Sequence, residues 1–71
     1  MKTTTLQTKE PKAHARNIQQ MLTEVIEHVR QDADWVEEPK AQALFETTAE
    51  VLIGLRNAYE HYATGAEKAM R

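Results

Sequence analysis

From Ala41 onward the chain places apolar or small side chains at alternating steps of four and three: Ala41, Phe45, Thr48, Leu52, Leu55, Tyr59, Tyr62, Ala66 and Ala69. An α-helix turns once every 3.6 residues, so this spacing holds one stripe of the helix toward a partner for about four heptads. A shorter copy of the rhythm precedes it in Ala15, Ile18, Leu22, Val25 and Val29, with Met21 and Ile26 widening the stripe on either side. The pattern predicts an all-α chain of two amphipathic helices.

The polar residues set the boundaries. Residues 1–8 are threonine-rich and aperiodic, which predicts a flexible N-terminal tail; residues 9–71 form the single domain. Thr8 is a candidate N-cap, with Pro11 in the first turn where its missing N–H costs little. Helix 1 is expected over about 9–31. The run Gln31-Asp32-Ala33-Asp34-Trp35-Val36-Glu37-Glu38 breaks the pattern, giving a turn at about 32–36. Pro39 suits the first turn of a second helix over about 37–63 or beyond, with Asp34 and Glu37 as a capping box. Gly65 either ends that helix in a left-handed conformation or is passed through. A connection this short folds the helices antiparallel into a hairpin.

The second helix carries more apolar surface than one neighbour can cover. Leu44 and Val51 flank one side of its stripe, Ala49 the other, Ile53 lies nearly opposite, and only Glu46 and Glu50 are charged between Leu44 and Leu55. A helix apolar over most of its circumference is normally surrounded. Gly54 points the same way, since a mid-helix glycine costs about 1 kcal/mol against alanine and close backbone approach is one reason to keep it. The expectation is a homodimer in which two hairpins make a four-helix bundle about a two-fold axis, a higher oligomer being the wider alternative. Its interface would draw on Leu44, Phe45, Val51, Leu52, Ile53, Gly54, Leu55 and Tyr59.

Composition reinforces this need. A 71-residue hairpin leaves much of its apolar surface wet, and there is no cysteine to staple it through a disulfide or a zinc cluster. Net charge is −2 and unevenly spread: Lys2, Lys9, Lys12 and Arg16 oppose only Glu10 in residues 1–17, whereas nine acids oppose Arg30, Lys40 and Arg56 in residues 18–60. Lys9, Lys12 and Arg16 are a candidate phosphate contact, but the acidic middle repels a duplex and no recognition motif is present, so nucleic acid is not the expected partner. The polar faces are too acidic for a membrane-surface helix, and the start lacks the apolar stretch of a signal peptide, so a cytoplasmic protein is expected.

Candidate chemistry is sparse. Glu24, Glu27, His28, Glu46, Glu50, Glu60 and His61 belong to the vocabulary of ferritin-like carboxylate bundles, which project glutamates and a Glu-x-x-His pair into the core. With Leu22, Val25 and Val29 as the stripe, none of these carboxylates falls on it, and no Glu-x-x-His spacing occurs. A metal-binding bundle is therefore the alternative reading, with no metal or cofactor expected. Asp32, Asp34, Glu37 and Glu38 gather four carboxylates, but without the glycine a calcium loop uses for its turn. Trp35 and Val36, in the middle of that run, are expected to fold over the hairpin end or reach a neighbouring subunit. His14 and His28 flank the stripe two turns either side of Met21, where protonation would make association pH-sensitive. Tyr59 and Tyr62 read as core residues whose hydroxyls need water or a partner. With no serine, no cysteine and two glycines, the usual nucleophiles and a phosphate-cradling loop are absent. The resemblance to small dimeric helical hairpins is one of architecture, and the functional expectation is a non-enzymatic interaction or scaffold module with an unknown protein partner.

Overall fold

The computed structural model describes residues 6–65. They form two helices, α1 (Pro11–Trp35) and α2 (Pro39–Thr64), packed side by side as an antiparallel hairpin. The expected all-α hairpin is present. Ala66 and Ala69, and residues 1–5 of the expected tail, lie outside the described residues.

The helix ends differ from those expected, each for a local reason. Helix α1 starts at Pro11 with extended Glu10 as N-cap. Thr8 acts one step earlier, its Oγ1 accepting the Glu10 N–H at 3.2 Å, while the His14 imidazole donates through Nε2 to the Thr8 carbonyl at 2.6 Å. Asp32 and Asp34, placed in the turn by their polarity, are helical. Ala33 beside them supplies a small buried side chain that lets the seam continue, and the Val36 N–H still bonds the Asp32 carbonyl at 3.0 Å. The capping box on Asp34 is accordingly not formed, and extended Glu38 caps α2 without a side-chain bond. A residue before proline is pushed out of the helical region, so Glu38 and Pro39 together fix where α2 starts. Gly65 adopts φ 73 and its N–H bonds the carbonyls of His61 and Tyr62, the left-handed ending that glycine permits.

The seam between the helices follows the four-three rhythm, shifted from the expected one. On α1 it runs through Ala15, Gln19, Leu22, Ile26, Val29 and Ala33; on α2 through Gln42, Phe45, Ala49, Leu52, Arg56, Tyr59 and Ala63. Ala15, Leu22, Val29, Phe45, Leu52 and Tyr59 are common to both schemes. The alternate positions move by one residue, so that Ala49 and Ala63 turn inward where Thr48 and Tyr62 were expected. Alanines bring the backbones close: of the five buried residues among those described, four are Ala15, Ala33, Ala49 and Ala63, and Ile26 is the fifth. Polar groups bracket this seam: Gln19 Nε2 donates to Glu60 Oε1 at 3.2 Å, Arg56 Nη1 to Thr23 Oγ1 at 3.4 Å, and Gln42 Nε2 to the Val36 carbonyl at 2.8 Å, closing the turn.

Candidate interaction face

Beside the seam of each helix runs a second row at the same spacing. On α1 it is His14, Ile18, Met21, Val25, His28, Asp32 and Trp35; on α2 it is Ala41, Leu44, Thr48, Val51, Leu55, Ala58 and Tyr62. Antiparallel helices seen down a common axis wind in opposite senses, so matching offsets from the seam fall on the same side of the pair. Both rows therefore share one broad face of the hairpin. Geometry at the open end agrees, for a single groove is lined by His14 and Ile18 of α1 and by Ala58 and Tyr62 of α2. On the opposite side Gln19 meets Glu60 and Thr23 meets Arg56.

The two faces differ in chemistry. The opposite face carries Arg16, Gln20, Thr23, Glu27 and Arg30 from α1 and Glu46, Glu50, Asn57 and Glu60 from α2, with Ile53 its large apolar residue. The first face holds one carboxylate, Asp32, bound to His28 Nε2 at 3.1 Å as an exposed pair one turn apart. Its large apolar side chains remain open: Trp35 is 84% exposed, Leu44 62%, Val51 58%, Tyr62 48% and Leu55 47%. Trp35 thus does not fold over its own hairpin end. The groove at the open end has a volume of about 590 Å³ and is mostly apolar, with Pro11, Ala15 and Tyr59 completing its walls and Thr8 and Lys9 at its rim.

The expected interface residues divide among these surfaces. Leu44, Val51 and Leu55 lie on the open face. Phe45, Leu52 and Tyr59 lie in the seam of the hairpin itself. Ile53 is half-buried on the charged side, and Gly54 points outward, where an added Cβ would meet nothing within 4 Å. Ile18, Met21, Val25 and Trp35 of α1 also belong to the open face; of these only Trp35 was expected to reach a neighbouring subunit. The signal for α2 was legible as a second four-three series starting at Leu44.

The polar candidates do not converge. Among the described residues no three histidine, aspartate or glutamate side chains are placed to hold a metal ion. Glu24, Glu27 and His28 sit on α1, Glu46, Glu50, Glu60 and His61 on α2, and the carboxylate run at the turn is split between the end of α1 (Asp32, Asp34) and the linker (Glu37, Glu38). Among the described residues no helix is long and apolar enough to cross a membrane. Comparison with protein-family models, with curated proteins and with solved structures finds no match to this chain.

Proposed function

We propose that the chain is a non-enzymatic association module that works as a homodimer, two hairpins laying their open apolar faces together as a four-helix bundle. The observation carrying this reading is the continuous exposed row Leu44, Val51, Leu55 and Tyr62 beside Ile18, Met21 and Val25. Two helices of about 25 residues, each ~1.5 Å long per residue and ~10 Å across, present roughly 700 Å² on one face. That is close to the ~800 Å² each partner contributes to a standard interface. Ile26 is the one large side chain buried within the hairpin among the described residues, while Leu22, Phe45 and Leu52 stay half-buried and Leu44, Val51 and Leu55 exposed, so these apolar groups gain further burial when the face is covered. Paired this way, the charged faces point outward and keep the assembly soluble. Sedimentation equilibrium at micromolar concentration should return twice the chain mass, and a folded monomer at all concentrations would overturn the reading.

A further inference from the structure

We infer that the second copy docks head to tail, with the turn end of one hairpin over the open end of the other, so that each Trp35 seats in the partner's open-end groove. This rests on the homodimer reading and adds its orientation and its anchor. Trp35, the only tryptophan, sits at one end of the apolar face, 84% exposed, while the groove lies at the other end of the same face. Along α1 the two are roughly 30 Å apart, from about 20 residues at ~1.5 Å each. A two-fold axis lying in the face and crossing the helices at mid-length exchanges them, so one operation fills both grooves. At about 590 Å³ the groove is roomy enough for an indole, and Pro11, His14, Ile18, Ala58 and Tyr62 give it apolar walls with a polar edge for the ring N–H.

The row spacing fits this operation. Antiparallel pairing of α1 with its copy brings Pro11 opposite the partner's Trp35, His14 opposite the partner's Asp32, Ile18 opposite the partner's His28 and Met21 opposite the partner's Val25. On α2 it brings Leu44 opposite the partner's Tyr62, Thr48 opposite the partner's Ala58 and Val51 opposite the partner's Leu55. The centres of the two series lie near residues 23 and 53. Those positions sit within about a helical turn of one level in the hairpin, because Thr23 touches Arg56.

Charge selects between this arrangement and the one with the axis along the helices. The turn end carries Asp32, Asp34, Glu37 and Glu38 against Arg30 and Lys40, while the open end carries Lys9, Lys12 and Arg16 against Glu10 and Glu60, with Arg16, Arg30 and Glu60 on the outward side. Head-to-tail docking sets the acidic end over the basic one. An axis along the helices would set one acidic end on the other, and like charges in juxtaposition work against association.

Two measurements on the full chain test the orientation. The first is tryptophan fluorescence: emission should shift to the blue and iodide quenching should fall as concentration rises through the dimer transition. Trp35→Ala should raise the dissociation constant at least about ten-fold while leaving helicity at high concentration unchanged, since Trp35 makes little contact within its own hairpin. The second uses the double variant His14→Cys/Asp32→Cys, in a chain with no cysteine of its own. Its thiols are too far apart to join within one helix, so a short bifunctional maleimide should give a covalent dimer. A dimer by sedimentation that neither cross-links nor protects Trp35 would overturn the orientation and leave the homodimer standing. A chain that stays monomeric would overturn both.

Discussion

At Leu52 and Glu27 the same helical chemistry has opposite consequences. Leu52 lies in the seam, half-buried against α1, and Leu52→Glu would set an unpaired charge between the helices. It is expected to cost more than ~3 kcal/mol and to remove most of the helical signal in circular dichroism. Glu27 points to water on the charged face, so Glu27→Ala should change the unfolding free energy by no more than ~0.5 kcal/mol. Gly54 gives a prediction of opposite sign. Its sequence context suggested close approach, but it stands outward with open space where a Cβ would go. Gly54→Ala should stabilise the protein by somewhat under ~1 kcal/mol through helix propensity, measured by urea unfolding.

Among the elements, the hairpin was legible and its phase was not. Pro39 placed the start of α2 to within two residues, Gly65 marked one of the two ends the sequence left open, and the short interval required the antiparallel return. What misled was the shape of the pattern on α2, where Phe45, Leu52 and Tyr59 have a small series on one side (Ala49, Ala63, with Arg56) and a larger apolar series on the other (Thr48, Leu55, Tyr62). Counting hydrophobicity selects the larger series as the seam. Packing selects the smaller one, because alanine lets two backbones close to a distance that leucine and tyrosine prevent, and the Arg56 stem lies along the seam with its guanidinium reaching Thr23. The same preference for inward alanine carried α1 past its apparent stop, through Ala33 to Trp35. The candidate face was half legible: Leu44 and Val51 stood out, while their neighbours from α1 become visible only once the rotation of that helix is known. The linker adds a test of its own. Gln42 donates to the Val36 carbonyl across the turn, and Gln42→Ala should cost about 1 kcal/mol in unfolding free energy without changing helix content.

The whole molecule is a slab, 43 × 29 × 12 Å in its backbone extents, one side apolar and the other charged. A layer of two helices has no interior apart from its seam, so in the proposed homodimer stability and association are one equilibrium. The melting temperature should therefore rise by several degrees between micromolar and hundred-micromolar protein, as mass action requires when only the dimer holds the apolar face dry. A melting temperature independent of concentration would place the stability within the single hairpin.

The alanine seam also decides how the two helices keep their place along each other. Interlocking of large side chains makes sliding costly, because each knob must leave its hole before entering the next. Ala15, Ala33, Ala49 and Ala63 make shallow teeth, and a surface built from them resists separation better than it resists slip. Lengthwise alignment then rests on the larger side chains between them, Leu22, Ile26, Phe45 and Leu52, on the short linker, and on polar fastenings at fixed heights, Gln19 on Glu60, Thr23 on Arg56 and Gln42 on Val36. These bonds act as detents along a rail whose teeth are deep only at mid-length, so the ends of the hairpin are where slip is resisted least by packing and most by polar contacts.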